Sequence, residues 1–95
     1  MSIYLTAILK SKIDKKAELR AILENMVLET RKEAACEKYE LQQSLDDDSI
    51  FIFHEIWKTK EGLDAHYRQS YIRQFADKAP ELLEIPAAIY LSKLI

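Results

Sequence analysis

Cysteine and histidine are both scarce in this sequence. Cys36 is the single cysteine, and the only histidines are His54 and His66. One cysteine cannot form a disulfide within the chain, so a reducing, cytoplasmic setting is the default expectation. One thiol and two imidazoles are also too few for a zinc or iron site within one chain. We therefore expect no metal site.

Long apolar runs and clustered basic residues are missing as well. No apolar stretch approaches the roughly 20 residues that a helix needs to cross a bilayer. The segment Met1–Leu5 shows no basic region followed by a hydrophobic stretch, so no secretory signal is visible. The net charge is −2, and basic residues are interleaved with acidic ones, whereas nucleic-acid binding draws its affinity from clustered Lys and Arg. We expect neither a membrane nor a nucleic acid as a partner.

The composition is that of a soluble globular domain. The chain has 95 residues, of which 48% are hydrophobic and 32% charged. That length allows one modest core, and no internal repeat, linker or low-complexity tract interrupts it. We therefore treat residues 1–95 as a single domain.

Alternating apolar residues predict four strands, at about residues 2–10, 36–45, 50–58 and 88–94. The polar segment Asp46–Ser49 predicts a turn, because Asp side chains can bond to nearby backbone amides. The second and third strands should therefore form an antiparallel hairpin.

Two helical regions separate these strands. Apolar residues at three- and four-residue spacing predict a helix that Asp14 caps and that reaches roughly Glu33. Thr59 can cap a second helix, and Ser70 can begin a further segment. Pro80 lacks an amide hydrogen and should end that segment or start a new turn.

The order β-α-β-β-α-β predicts an α+β, ferredoxin-like fold, with helices on one face of an antiparallel four-stranded sheet. The third strand nevertheless carries large apolar residues on both faces: Phe51, Phe53 and Trp57 on one, and Ile50, Ile52 and Ile56 on the other. At about 25 cal/mol per Å², exposing several such side chains forfeits several kcal/mol. We therefore expect a homodimer with stacked sheets, a dimeric α/β barrel. The alternative is a monomer whose loops or last strand cover the second face.

Three stretches resemble the antibiotic-biosynthesis monooxygenase family. The first is Glu29–Glu33 running into Cys36–Leu41, like the family's helix end and its Tyr-Glu-Leu strand. The second is Phe53–Trp57, with the pattern aromatic-x-Glu-x-Trp. The third is Leu63–His66, followed nine residues later by Phe75. In this order and spacing, the resemblance covers nearly the whole chain.

The resemblance implies a dimeric barrel with a pocket between sheet and helices. It also implies a monooxygenase that oxidises a small phenolic, quinol or anthrone-like compound with O2, using no metal, flavin or other cofactor. A deprotonated substrate of this kind can give an electron to O2 directly. The protein then has to bind the aromatic ring, aid proton loss and hold the anion.

This chain departs from the family's pattern at three places. Ala34 and Ala35 replace a common Pro-Gly pair, so the first helix must end without glycine's freedom at positive φ. Tyr71 stands where many members carry a second histidine, which counts against the two-histidine mechanism of related sugar-phosphate isomerases. Ala76 stands where the haem-degrading branch has its iron ligand, and alanine cannot bind iron.

His66 is the candidate catalytic base, since a neutral imidazole can accept a phenolic proton near neutral pH. The alternative is a histidine that only packs against the sheet. Glu55 lies on an aromatic strand face, where a carboxylate must be paired or neutralised. Arg31, a tyrosine or a backbone amide could satisfy it structurally. A raised pKa in a cleft would instead indicate acid–base chemistry or substrate binding.

The other candidate substrate-binding residues are aromatic: Phe53, Trp57, Tyr39 and Tyr71. The Phe and Trp rings could form a pocket wall, although ordinary core packing is the commoner role for a tryptophan. The two tyrosines could donate hydrogen bonds to a substrate oxygen or serve the fold alone. The lack of a strong nucleophile or metal motif keeps a second function open, a non-catalytic dimeric module that binds a small ligand or another protein.

Overall fold

A computed structural model describes residues 1–95. Seven elements follow one another along the chain: β1 (Ile3–Lys10), α1 (Lys16–Thr30), β2 (Cys36–Gln43), β3 (Ile50–Trp57), α2 (Lys60–Tyr67), α3 (Ser70–Leu82) and β4 (Ala88–Ser92). The strands form one sheet in the order β2-β3-β1-β4, and every neighbouring pair is antiparallel. This confirms the predicted ferredoxin-like fold, with the second helical region divided into α2 and α3.

The two faces of β3 are those that the alternation predicts. Phe51, Phe53, Glu55 and Trp57 are buried under the helices, whereas the residues between them are half-buried on the outer face. The helices add apolar side chains such as Leu19, Leu23 and Leu63 to the same core. The inner face is therefore covered within one chain, and the outer face is not.

β2 is shorter and less regular than its sequence suggests. It ends at Gln43, and Leu45 is fully exposed. A bulge between Cys36 and Lys38 shifts its register against β3. As a result Tyr39 is buried on the inner face while Glu37 faces solvent. The predicted turn after β2 is present, with Asp47 Oδ1 accepting a hydrogen bond from the Ser49 amide at 3.0 Å.

The predicted cap of α1 is wrong. Lys15 occupies the N-cap position and makes no side-chain cap bond. Asp14 lies one residue earlier, inside a turn closed by the Lys15 amide and the Lys12 carbonyl at 3.0 Å. α1 also ends at Thr30 rather than near Glu33. The segment 31–35 forms successive turns instead, and no residue in the chain has positive φ.

The cap of α2 is confirmed, and the expectation for Pro80 is wrong. Thr59 Oγ1 accepts the Gly62 amide at 3.0 Å. α3 continues through Pro80 to Leu82, and the Leu83 amide still bonds to the Ala79 carbonyl at 2.8 Å. Proline removes its own amide bond and crowds the carbonyl four residues earlier, but this close to the helix end few further bonds remain to be disturbed. No helix is both long and apolar enough to cross a membrane.

Candidate functional site

A cavity of about 590 Å³ lies between the inner face of the sheet and the α2–α3 region. This volume is within the range of small-molecule sites, about 300–1,000 Å³. Fifteen of its 20 lining residues are hydrophobic, and none is Lys or Arg. They come from β1, α1, β2, β3, α2, α3, β4 and the segment 83–87 that leads into β4. A second groove, of about 460 Å³, lies between α1 and β2 and contains none of the predicted site residues.

Four of the six predicted site residues line the cavity: Tyr39, Phe53, Glu55 and His66. Trp57 and Tyr71 do not. Trp57 is fully buried behind the cavity wall, with its ring centroid 4.5 Å from that of His66. Tyr71 is bonded to Glu33 instead. Neither residue lines the cavity, and each contacts it only through a neighbour: Trp57 through His66 and Glu55, and Tyr71 through Glu33.

His66 projects from α2 into the buried side of the cavity and is only 3% exposed. Its Nδ1 lies 2.8 Å from Glu33 Oε2. A carboxylate can only accept, so Nδ1 carries the hydrogen and Nε2 keeps its lone pair. Nε2 has no hydrogen-bond partner within the chain. Burial lowers the His66 pKa below 6.5, although Glu33 opposes this shift. The imidazole is therefore neutral at neutral pH, with a free acceptor nitrogen.

Glu33 is the residue that our sequence analysis missed. It lies in the turns between α1 and β2, where its Oε2 accepts hydrogen bonds from both His66 and Tyr71. Burial and this hydrogen bond raise the Tyr71 pKa to about 12, so the phenol stays protonated and remains a donor. Tyr71 replaces a histidine of the family with another hydrogen-bond donor. That substitution was the one sequence signal for a nearby acceptor.

Glu55 is 6% exposed, and its Oε1 accepts a hydrogen bond from Trp57 Nε1 at 2.8 Å. Burial raises its pKa to about 7, Trp57 opposes this, and the charge of Glu33 adds to it. Arg31 does not pair with Glu55. Its guanidinium donates two bonds to the Tyr39 carbonyl, at 3.0 and 3.2 Å, and ties the end of α1 to β2. Glu55 therefore has both a structural hydrogen-bond partner, Trp57, and the raised pKa that would indicate acid–base chemistry or substrate binding.

Aromatic rings surround His66 on the sheet side. Tyr39 lies 5.6 Å from the imidazole centroid and 4.9 Å from that of Phe53. Burial, and then the charge of Glu55, raise the Tyr39 pKa far above its usual value, so this phenol is also protonated at neutral pH. Ala76, at the position of the iron ligand in the haem-degrading branch, lines the cavity with a methyl group. The wall can hold a flat apolar ring beside the free nitrogen of His66.

Nucleophilic and metal chemistry find little support in the side chains. Cys36 is half-buried, and burial raises its pKa to about 11, so it is a thiol rather than a thiolate. No group of three or more His, Cys, Asp or Glu residues is arranged to hold a metal ion. The chemistry that these residues can supply is proton transfer and hydrogen bonding.

Known proteins resemble the chain in sequence and in fold. An uncharacterised protein of Synechocystis, sll1783, is 34% identical over 86 residues, which are 90% of this chain and 58% of that protein. The chain thus spans little more than half of that relative. The Mycobacterium tuberculosis protein Rv0793, by its name a candidate monooxygenase, is 32% identical over 76 residues, covering 80% of this chain and 74% of that protein. The solved structure of Rv0793 superimposes with a TM-score of 0.94 at 25% identity, over 100% of this chain and 96% of that one.

A family assignment follows from these likenesses together with a direct match. Residues 2–78 match the sequence model of the family described as antibiotic biosynthesis monooxygenase. That match includes β1, α1, β2, β3, α2 and most of α3, and with them Glu33, Glu55 and His66. The chain belongs to the antibiotic biosynthesis monooxygenase family.

Proposed function

We propose that the chain is a cofactor-independent monooxygenase that uses O2 to oxidise a small phenolic, quinol or anthrone-like compound in the cavity. The observation that carries this proposal is His66: a buried, neutral imidazole whose Nδ1 is held by Glu33 and whose Nε2 is free beside an apolar cavity. This is the state that a general base requires.

For an anthrone-like substrate the steps balance without a further reductant. His66 Nε2 accepts a proton from the substrate, and the resulting anion transfers one electron to O2. The two radicals combine into a carbon-bound peroxide, which takes the proton back from the imidazolium. Loss of water then converts the C–H and O–OH groups into a new C=O bond. One oxygen atom enters the product, the other leaves as water, and O2 is the only oxidant.

The cavity lining supports a ring compound and disfavours a phosphorylated one. Its surface is mainly apolar, and its charged residues are the carboxyl groups Glu55 and Glu84 together with the titratable His66. A phosphate needs Arg, Lys or several amide donors around it. An isomerase of a phosphorylated sugar therefore fits this site poorly.

Oxygen uptake by chelator-treated protein over a panel of quinols and anthrones tests the proposal. His66→Ala should lower kcat by about 10²–10⁴-fold, the usual contribution of a general base. Asp64→Ala is the matched control, because Asp64 lies on the same helix as His66 and its carboxylate pairs with Lys60 outside the cavity lining. Equal uptake by wild type and His66→Ala would contradict the role of His66. If no compound of the panel supports oxygen uptake, the proposed oxygenase activity is wrong.

The second candidate function is a non-catalytic module that binds a small ring compound. Tyr71 favours it, since this residue stands where many relatives carry a second histidine and its hydroxyl is already engaged by Glu33. Calorimetry with the same panel separates the two functions. Saturable binding without oxygen uptake would support the module.

We also propose that the functional form is a homodimer joined through the outer face of the sheet. That face carries half-buried isoleucines on β3, together with the more exposed Ile8 and Tyr90, which are 40% and 61% exposed. Thr6, His54 and Glu40 also lie on this face, yet a group of exposed apolar side chains of this size usually marks an interaction surface. Stacking two copies about a two-fold axis covers it with the same surface from the partner.

A further inference from the structure

The cavity contains a second polar group besides His66, and the proposed base does not account for it. Glu55 lies on the same wall, and Trp57 contacts both residues: its Nε1 donates to Glu55 Oε1 at 2.8 Å, and its ring lies 4.5 Å from the imidazole. No hydrogen bond or ion pair within the chain reaches Glu55 Oε2. Glu55 is 6% exposed and lines the cavity, and Oε2 is not among the fully buried atoms, so this unpartnered oxygen is open to a ligand.

The surroundings of Glu55 contain no cation that would hold it as a carboxylate. Arg31 is engaged with the Tyr39 carbonyl, and the cavity lining has no Lys or Arg. The titratable groups around Glu55 are acidic or neutral: Glu33 before β2, Cys36 and Tyr39 on β2, His66 and Tyr67 on α2, and Glu84 after α3. An uncompensated buried carboxylate is costly, so the group favours its neutral acid form.

We propose that Glu55 is a specificity-determining residue that donates a hydrogen bond from its carboxylic acid group, through Oε2, to a carbonyl oxygen of an uncharged ring substrate. This role rests on the proposed function in taking the cavity to be the substrate site. His66 then supplies an acceptor and Glu55 a donor. Together they select a ring compound with both an acidic hydrogen and a carbonyl oxygen, and the Glu55 donor stabilises the negative charge that develops on that oxygen when His66 removes the proton.

The raised pKa of Glu55, about 7, gives the donor a pH dependence. Below that pH the carboxyl group carries the hydrogen and can donate it. Above it the carboxylate repels a carbonyl oxygen, and the preference for a carbonyl compound is lost. The bond from Trp57 Nε1 persists in both states because it is accepted by the other oxygen.

Binding of two unreactive probes tests this role without any oxygen chemistry. 1-Tetralone and tetralin have the same fused rings and differ by one carbonyl group. Below pH 7, wild-type protein should bind tetralone about two- to tenfold more tightly than tetralin, the value of one neutral hydrogen bond. Above pH 7 the preference should vanish while tetralin affinity is retained.

Two substitutions locate the effect at Glu55. Glu55→Gln should keep the preference at both pH values, because its amide oxygen can accept from Trp57 while its NH2 group donates to the ketone and does not titrate. Glu55→Leu should remove the preference at both. Glu61→Gln, which alters an exposed carboxylate on α2 outside the cavity lining, should behave as wild type. An infrared difference spectrum should show a carboxylic C=O band that shifts when tetralone binds and is absent in Glu55→Gln.

Several results would overturn the proposal: no tetralone preference, a preference that is independent of pH in wild type, or a pH-dependent preference in Glu55→Gln. Failure of both probes to bind would overturn it too. The oxygenase is judged separately. A Glu55-dependent preference without oxygen uptake leaves the Glu55 role standing and rejects the oxygenase, whereas His66-dependent uptake without a Glu55 effect does the reverse.

Discussion

Glu33 sets the state of His66 although 33 residues separate them in sequence. Its carboxylate raises the His66 pKa against the larger lowering caused by burial. In Glu33→Gln the burial effect remains while the charge is lost. We therefore expect the His66 pKa to fall further below 6.5, which an NMR titration of the imidazole can measure, with His54 as an internal reference. kcat should fall as well, because the ring is held less firmly.

Glu37→Gln is the control for this prediction. Glu37 is exposed and bonds to Ser2 Oγ at 2.7 Å, so its substitution should leave the His66 titration unchanged. A His66 pKa in Glu33→Gln equal to that of wild type would show that the 2.8 Å contact has no electrostatic role.

Glu55 should make the stability of the protein depend on pH. Its pKa is raised from 4.5 to about 7 in the folded state, so the folded chain holds an extra proton between these values. This contribution is fully present below about pH 4.5 and is lost as the pH rises through 7. Glu55→Gln does not titrate. As the pH rises through this range, the free energy of unfolding of Glu55→Gln should therefore increase relative to that of wild type by about 3 kcal/mol. This follows from about 1.4 kcal/mol per unit of pKa. Urea unfolding of both proteins at the two ends of the pH range measures this difference. The same pH dependence of the unfolding free energy in wild type and Glu55→Gln would contradict the prediction.

At the scale of elements, alternation predicted strands better than single residues predicted helix ends. The β3 pattern assigned both faces correctly because a strand exposes alternate side chains to opposite sides wherever it lies. The cap at Asp14 depended on one residue of register, and the local turn through Lys15 displaced it. The prediction that Pro80 ends the helix rested on its missing amide hydrogen alone. The effect of a proline also depends on how many helical hydrogen bonds follow it.

α2 lies so close to the turn before β2 that one position tolerates only glycine. A Cβ on Gly62 would collide with Ala35 Cβ and come within 3.2 Å of Thr59 Oγ1. Alanine is the better helix former, yet Gly62→Ala should destabilise the chain by about 1–3 kcal/mol through overpacking. Chemical denaturation of the variant measures the loss.

The double variant Ala35→Gly/Gly62→Ala identifies the cause. It removes the methyl group that the new Cβ meets, so it should recover most of the stability lost in Gly62→Ala. Ala35→Gly alone is the control for the cost of glycine in the turn. Additive losses in the double variant would contradict a direct collision.

At the scale of the whole molecule, the candidate site is assembled by tertiary contacts that no local pattern contains. Glu55 could be singled out as a carboxylate on an aromatic strand face, and His66 by its imidazole chemistry and the family resemblance. Glu33 could not, since it resembles any solvated charge at a helix end until α2 and α3 bring His66 and Tyr71 against it. The sequence could not show that Trp57 lies behind the cavity wall, because Trp57 shares one face of β3 with Phe53 and Glu55, which do line the cavity.

The outer face of the sheet leads to the prediction for the assembly. If two copies stack there, the protein should sediment at about 22 kDa, twice the 11.1 kDa of one chain.

Ile52 lies on β3, an interior strand of the sheet, and pairs with Ile8 and Gln42 on its neighbours. Ile52→Glu should yield a folded monomer, because stacking would bury an unpaired carboxylate. Leu28→Glu is the control, since Leu28 on α1 is 64% exposed on the helix layer. Sedimentation with circular dichroism decides the matter. A dimer that survives Ile52→Glu would place the interface elsewhere, and a monomeric wild type would leave the isoleucines of this face exposed to water.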